Sequence, residues 1–277
     1  MDWNVILSLV SGLVSGFTGF LPVSSWAHQR LFLELTGTEG ESLFRFACYL
    51  GSLAALILLC RPQLARFRRE RKLAMIPARK RRRHPDQSAL KEDRFFRTAM
   101  IPAIFITAVL CLVRPYVQSL WMIAILVALS GILLYLPQFF RRGNKNADNV
   151  SGLDALLIGA SGAVAGIPGI SGFAGMLCTA SLRGVDRQFS ADNGLMLFLG
   201  ILPVLAGYEL ISLILAGGAL MTAYWLLLYF LAAVAAFVGA WFAVQLVKFL
   251  AVRVGFSGMA CYCWGQAIFT FALYLMI

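Results

Sequence analysis

Two short stretches of this 277-residue chain carry residue types that can bind a phosphate group. Ser24, Ser25 and His28 stand in the first stretch, and Gly169 and Ser171 stand in the second. Serine hydroxyls donate hydrogen bonds to phosphate oxygens, and glycine-rich turns before a helix present free backbone N–H groups to an anion. A histidine can donate a hydrogen bond or exchange a proton near neutral pH. The sequence therefore predicts an anion-binding site, with His28 as its candidate catalytic group.

The same residues also have structural interpretations. Each of the three serines could cap a helix that begins at a break in the chain, and His28 could be an interfacial residue with a backbone partner. Gly172 follows Ser171 and is included in the predicted phosphate site as part of the glycine-rich turn. Glu209 lies in an apolar stretch, where an ionisable group is costly and is a functional candidate by default. It could instead lie near the outer interface.

The elements that position these residues are predicted to be membrane helices. Hydrophobic residues make up 60% of the chain and charged residues 13%, with a mean hydropathy of +0.79. A soluble domain carries about a quarter charged residues. The apolar runs are long enough to cross a bilayer, which takes about 20 residues, and backbone groups in lipid must be paired within a helix. The sequence predicts an all-α polytopic membrane protein and excludes a soluble one.

Apolar runs separated by polar stretches predict six transmembrane helices and two re-entrant helical hairpins. The hairpins are predicted at 3–42 and 153–182, because glycine and proline interrupt both segments. Broken helices are tolerated at membrane depth only inside the protein. The six spans are predicted at 43–60, 98–114, 119–140, 193–217, 220–247 and 255–277.

The two broken segments resemble each other. The pattern S-G-x-V-small-G-apolar describes both 11–17 and 161–167, and three apolar segments follow each broken segment. That arrangement is typical of an inverted repeat, whose broken segments meet near the membrane midplane. The sequence predicts a first repeat over 1–150 and a second over 151–277, with the two turns enclosing a small polar cavity.

Basic residues predict the topology, because short cytoplasmic loops collect Lys and Arg. If 153–182 enters and leaves on one side, 21 of the 24 basic residues lie inside and both termini lie outside. The loop 61–97 alone carries 14 basic and four acidic residues. It is predicted to contact anionic lipid headgroups and not nucleic acid, because no aromatic residues beyond Phe67, Phe95 and Phe96 are interleaved with its charges. Arg30, Arg45 and Arg114 remain outside.

Two motifs, at 20–28 and 168–175, carry a resemblance to a known family. F-L-P-V-S-S-x-x-H at the first is similar to the pattern E-G-x-x-E-F-L-P-[VI]-S-S-[ST]-G-H of the undecaprenyl-pyrophosphate phosphatase family. P-G-I-S-G-F-A-G at the second is similar to its P-G-x-S-R-S-G-A, and the resemblance covers essentially the whole chain. It implies a multi-pass protein of the bacterial cytoplasmic membrane that handles a polyprenyl-phosphate lipid carrier in cell-envelope synthesis.

The chain departs from that family at the charged positions. Ser15 and Gly19 stand where the family has two glutamates, and Gly172 and Phe173 stand where it has an arginine and a serine. Cys263 stands where a further family arginine would fall. Paired carboxylates would hold a divalent cation, and arginines would clamp a phosphate group. The sequence therefore predicts no metal site, no cofactor and impaired catalysis.

Three functions stay open on the sequence alone. The first is a non-catalytic relative that binds a polyprenyl phosphate or moves it across the bilayer. The second is an active undecaprenyl-diphosphatase that uses His28 and substituted ligands. The third is a transporter or scaffold for an unrelated solute, because a fold does not by itself define a function. The identity of the lipid, the direction of any transport and a homo-oligomeric state are likewise open.

Overall fold

The computed structural model describes residues 3–36, 42–81, 83–217 and 222–277. Regular structure in these ranges is helical, apart from an isolated parallel bridge between Lys145 and Val185. The α-helices are α1 Trp3–Phe20, α2 Ser25–Thr36, α3 Ser42–Met75, α4 Gln87–Cys111, α5 Leu120–Tyr135, α6 Gly152–Gly162, α7 Gly172–Leu182, α8 Arg187–Leu215, α9 Ala223–Phe249 and α10 Ser257–Met276.

Six of these helices, α3, α4, α5, α8, α9 and α10, are long and apolar enough to cross a membrane. Their outward surfaces carry large exposed apolar side chains such as Ile101, Phe105 and Phe230. Water would make such surfaces unstable, whereas lipid accepts them. The protein is therefore an all-α polytopic membrane protein, which confirms the predicted fold class.

Both broken segments contain two short helices that meet at a turn. In the first, α1 ends at Phe20 and α2 begins at Ser25. In the second, α6 runs into a 3₁₀ turn at Ala163–Gly166, and α7 begins at Gly172. Gly169 lies between them with φ of +93°, a backbone conformation that glycine adopts without steric cost. Whether the segment predicted at 3–42 re-enters stays a prediction, and its residues 37–41 lie outside the described ranges.

The helices pair across the two halves of the chain. The first helix of each half packs against the fourth helix of the other half, so that α1 contacts α9 and α6 contacts α4. Small residues allow these close approaches: a Cβ at Gly16 would lie 2.0 Å from the carbonyl oxygen of Ala236, and one at Gly159 would lie 2.0 Å from that of Ala99. Small residues are typical of membrane helix interfaces. This pairing is what an inverted repeat would give, while the division at residue 150 stays a prediction.

Several helices extend beyond the predicted apolar spans on the face that carries the basic loop. The span predicted at 43–60 continues as helix to Met75, and the one predicted at 98–114 begins at Gln87. Ion pairs join the two extensions, including Arg71 to Asp93 at 3.1 Å. Hydropathy marks where a helix leaves lipid, and charge pairing explains why the backbone stays helical beyond that point. Most of 61–97 is thus helix and not an open loop.

Candidate functional site

The turns of the two broken segments line one small cavity of about 50 Å³. Ser24 and Ser25 reach it from the first segment, and Ser171 and Gly172 reach it from the second. Gly169 shapes the second turn but does not line this cavity. The structure therefore brings together four of the five residues predicted to bind phosphate, and the phosphate-binding role itself stays a prediction.

Ser24 and Ser171 occupy matching positions at the starts of α2 and α7. The Ser24 hydroxyl accepts a hydrogen bond from the Ala27 N–H at 3.3 Å, and the Ser171 hydroxyl accepts one from the Ala174 N–H at 3.2 Å. Capping uses a lone pair of each oxygen and leaves the O–H proton free to donate. Both helices also direct their positive ends toward the cavity. Capping and anion binding are therefore compatible roles.

Ser130 and Gln29 support these serines, although the sequence analysis did not select them. The Ser130 hydroxyl accepts a hydrogen bond from the Ser171 N–H at 2.9 Å. The Gln29 amide donates to the hydroxyls of Ser15 at 2.9 Å and Ser25 at 3.3 Å. Both Ser130 and Gln29 lie outside the two matched motifs, so the contacts could be found only in three dimensions.

His28 faces α10 and does not line the cavity. Its Nδ1 lies 2.6 Å from the Ser24 carbonyl oxygen, and its Nε2 lies 2.6 Å from the hydroxyl of Tyr262. The carbonyl can only accept, so Nδ1 carries the proton and Nε2 accepts from Tyr262. The two rings are also parallel, with centroids 5.7 Å apart. This geometry favours a structural role, and the catalytic assignment of His28 stays a prediction.

A larger cavity of about 270 Å³ adjoins the small one and contains Arg30, Arg45 and Arg114. These are the three basic residues that the topology predicted from the sequence leaves outside. Arg114 lines both cavities. Among the described residues that line them, Glu209 is the one carboxylate, and it pairs with Arg114 at 2.8 Å and Arg45 at 2.9 Å. The pair of cavities, called the outer site below, therefore has an excess of positive charge.

Arg114 is held from several sides although it lies between two apolar helices. Its side chain is 4% exposed. Besides pairing with Glu209, its Nε donates to the Gly166 carbonyl oxygen at 3.1 Å, and its guanidinium lies 5.2 Å from the centre of the Tyr208 ring. A buried charge needs such partners. The sequence signal was present, since Arg114 and Glu209 are both ionisable groups in apolar surroundings, but nothing in the sequence paired them.

Comparison with known proteins assigns most of the chain to one family. The family model described as "Bacitracin resistance protein BacA" matches residues 8–269. The chain belongs to the BacA family. Three relatives, each called undecaprenyl-diphosphatase, are those of Campylobacter curvus (32% identical, covering 76% of this chain and 78% of the relative), Desulforudis audaxviator (31%, 88% and 90%) and Methanobrevibacter smithii (26%, 97% and 97%).

The altered positions differ in the space they offer to the side chains of the BacA-family pattern. A Cβ at Gly172 would lie 2.4 Å from the Gly162 carbonyl oxygen and 2.7 Å from the Ala165 Cβ, so an arginine would not fit there. Gly19 lines the small cavity, and a Cβ there would meet no other part of the protein within 4 Å. Phe173 and Cys263 are buried in the packed core, and neither lines the outer site. At Gly19 and Gly172 the chain thus lacks the charges of the family pattern, and at Gly172 it also lacks the space for a larger side chain.

The residues of the outer site do not fit a divalent cation. Such an ion takes several oxygen ligands, with carboxylates foremost. Here the small cavity offers serine hydroxyls, and Glu209 is held by two arginines that would repel a cation. No group of three or more His, Cys, Asp or Glu residues within the described ranges could hold a metal ion. Guanidinium groups, hydroxyls and helix N-termini instead suit an anion.

Proposed function

We propose that this BacA-family protein binds the phosphate group of a polyprenyl phosphate in the outer site, with diphosphatase activity lost or strongly impaired. The observation that carries the proposal is the position of Arg114. Its guanidinium lines both cavities and lies beside the turns that carry Ser24 and Ser171. The protein would handle the lipid carrier of envelope synthesis in the bacterial cytoplasmic membrane, as the family membership suggests.

Charge supports an anionic ligand. Arg45 and Arg114 share the single charge of Glu209, so this cluster is left with one net positive charge. Arg30 also lines the cavity, where it pairs with Glu34 at 2.5 Å. Arginine binds phosphate through two parallel, charge-assisted hydrogen bonds. A phosphate group in the larger cavity could take donors from the arginines and from the serine hydroxyls of the small cavity at the same time.

The proposal of impaired hydrolysis rests on what the transition state requires. Phosphoryl transfer depends on cations around the transferring group and on a positioned nucleophile or base. The outer site supplies arginine, but its hydroxyls are neutral and its carboxylate is engaged. His28, the candidate base, has both ring nitrogens engaged with Ser24 and Tyr262.

One observation favours an active diphosphatase as the second candidate. Arg114 provides inside the cavity a cation that the altered motif lacks at Gly172. A relocated arginine could stabilise charge on the transferring phosphoryl group, since the donor matters by its position in space and not in the sequence. His28 would then have to leave Tyr262 to act as a base.

Two measurements on the purified protein in nanodiscs test the proposal. Farnesyl monophosphate is expected to bind to the wild type and to bind about tenfold more weakly to Arg45→Gln, because one charge-assisted hydrogen bond is worth about 1.5–3 kcal/mol. Arg68→Gln is the control, since Arg68 is exposed on the basic face. Phosphate release from undecaprenyl pyrophosphate, with and without magnesium, should be close to background.

Turnover at an ordinary enzyme rate of about 1 s⁻¹ or more, abolished by His28→Ala, would refute the non-catalytic proposal and establish the active diphosphatase. Equal binding of the lipid phosphate by wild type and Arg45→Gln would refute the outer site as its binding place.

A further inference from the structure

We infer that a second phosphate site lies on the opposite face of the protein, in a cavity formed by the ends of α5, α7, α8 and α9. This cavity has a volume of about 260 Å³, and its lining includes Arg141, Arg142, Arg187, Ser181 and Gln188. Three guanidinium groups with a hydroxyl and an amide form a donor set that suits a phosphate group. We call this cavity the basic-face site.

The basic-face site lies on the same side as the basic loop. The segment that follows Arg142 reaches α4, where Lys91 Nζ lies 3.2 Å from Asp148 Oδ1. Arg114 precedes α5, and Arg141 follows it. Since α5 is long and apolar enough to cross the membrane together with the turn after it, the outer site and the basic-face site stand at its two ends. They are therefore separate sites.

A short backbone bridge fixes the arginines beside one another. The Lys145 N–H donates to the Gly184 carbonyl oxygen at 3.1 Å, and the Asp186 N–H donates to the Lys145 carbonyl oxygen at 2.8 Å. Gly143 lies so close to Gly184 that a Cβ would come within 2.3 Å of it. The connection between α5 and α6 is thereby held against the start of α8. The approach of Arg141 and Arg142 to Arg187 is thus a built feature of the fold.

The neighbouring basic residues are paired with a carboxylate, whereas these three arginines are not. Asp154 pairs with Lys145 at 3.3 Å and Arg183 at 2.5 Å. Within the ranges that the structure describes, no carboxylate lies within 4.0 Å of the guanidinium nitrogens of Arg141, Arg142 or Arg187. Asp186 lines the cavity, but its carboxylate caps α8 by accepting the Phe189 N–H at 2.9 Å. The lining keeps two net positive charges, which complement a phosphate dianion.

A second recess, lined by both apolar and polar side chains, continues from the charged part of this site. It has a volume of about 100 Å³, shares Ser181 and Arg187 with the basic cavity, and is lined further by the apolar Leu134, Leu177 and Phe256 and by polar Gln138, Ser190 and Ser257. Val252 and Val254 stand exposed at the rim of the two cavities. Charged donors beside the apolar side chains of Leu134, Leu177 and Phe256 and the exposed valines of the rim suit a phosphate monoester attached to a hydrocarbon chain, and free phosphate would leave these apolar contacts unused. The ligand class is therefore a lipid phosphate.

Aromatic rings separate this recess from the outer site. Phe198 lines the small outer cavity and Phe256 lines the recess. Phe173 lies between them, with ring centroids 6.4 Å from Phe198 and 6.0 Å from Phe256. Because packed rings close the path between the cavities, a ligand can occupy the basic-face site independently. The inference therefore does not depend on the proposed function of the outer site.

Photo-crosslinking locates the ligand and so tests this site apart from the outer one. The full chain in phosphatidylcholine nanodiscs would be irradiated with a benzophenone-bearing farnesyl monophosphate, and labelled peptides would be mapped by mass spectrometry. We expect label within 134–143, 177–190 or 251–257. It should fall about tenfold in Arg187→Gln and in the double variant Arg141→Gln/Arg142→Gln, as expected for the loss of a charge-assisted hydrogen bond. Arg45→Gln should leave this label unchanged.

The double variant should fold like the wild type, because both of the replaced side chains are exposed. A loss of label in it would therefore report on binding and not on misfolding. Arg61→Gln/Arg68→Gln is the matched control on the same face and should keep the full label. Absence of label in these peptides, or equal label in the double variant and its control, would overturn the inference. Competition experiments identify the ligand class. Farnesyl monophosphate should displace the label at far lower concentration than inorganic phosphate, and equal displacement would overturn the assignment of a lipid.

Discussion

At the scale of single residues, the candidate site depends on one buried ion cluster. Glu209 holds Arg114 and Arg45 at 2.8 and 2.9 Å, and all three line the larger outer cavity. Burying a charge without a partner costs several kcal/mol, so the cluster stabilises the fold while it leaves positive charge for a ligand. The charges of the outer site thus come from residues outside the two motifs.

Gly172 and Gly19 provide a matched pair of residues for testing the space around the small cavity. Gly172→Ala should destabilise the protein by about 1–3 kcal/mol, because its Cβ would lie 2.4 Å from a backbone oxygen and overpacking has a cost of that order. Gly19→Ala should be neutral or slightly stabilising, since nothing lies within 4 Å of the new Cβ and alanine favours a helix. Thermal unfolding of both variants in detergent measures the difference. Equal melting temperatures would show that α6 and α7 can move apart at low cost.

The site residues that belong to the two motifs could be predicted from the sequence. The residues elsewhere in the chain that contact them could not. Ser24, Ser25 and Ser171 were found because hydroxyls beside a glycine- and proline-rich break are a local signal. Gln29 and Arg114 reach the same serines or cavity from positions outside the motifs. The direction of the His28 ring was also unpredictable, because it depends on Tyr262, which lies 234 residues further along the chain.

At the scale of elements, hydropathy located the six long helices but not their ends. A helix that crosses the lipid requires about 20 apolar residues, so each span stands out in the sequence as a continuous apolar run. Beyond the lipid, the ends of α3 and α4 depend on pairs such as Arg66 with Asp86 at 2.8 Å and Arg83 with Glu70 at 2.5 Å. These contacts join residues that lie well apart in the sequence. Only the folded arrangement shows them.

The stability of the first turn of α4 should decrease at low pH, because Asp86 caps this helix. The side chain caps the helix by accepting the Ala89 N–H at 3.2 Å, and a hydrogen bond from Arg66 lowers the pKa of this carboxyl below its ordinary value. A lowered pKa stabilises the folded state above the unfolded value of about 4, and this contribution is lost as pH falls through the folded value.

Hydrogen exchange in the first turn of α4 measures this effect by comparison with Asp86→Asn. Asparagine also caps helices, so the variant removes the charge and keeps a cap. At pH 7 the amide protection factors should be higher in the wild type. The difference should shrink as pH falls below about 4 and should vanish once the pH lies below the lowered folded-state pKa of Asp86. A difference that persists at low pH would mean that the carboxylate charge does not stabilise this turn.

At the scale of the whole molecule, the basic residues are unequally divided between the two faces. One face gathers Arg30, Arg45 and Arg114 around the outer site. The other carries the basic loop and the basic-face site. The pairing of α1 with α9 and of α6 with α4 places one broken segment in each half of the bundle, with their turns at one cavity. The sequence repeat predicted this meeting of the turns. Of the second basic cavity the sequence showed only Val185 and Arg187, in a stretch L-x-G-V-x-R that resembles the family's M-G-V-S-R, and nothing brought Arg141 and Arg142 to it.

The orientation of the two faces in the membrane gives the last prediction. Cytoplasmic loops collect Lys and Arg, so the face with the basic loop should lie inside and the outer site should open to the outside. Lys80→Cys and Tyr116→Cys, introduced into a chain without its six native cysteines, report the two faces, because both side chains are exposed. A membrane-impermeant maleimide should label Tyr116→Cys in intact cells and should label Lys80→Cys only after permeabilisation. Labelling of Lys80→Cys in intact cells would show that the predicted orientation is wrong. The outer site would then open to the cytoplasm and receive its lipid phosphate from the cytoplasmic leaflet.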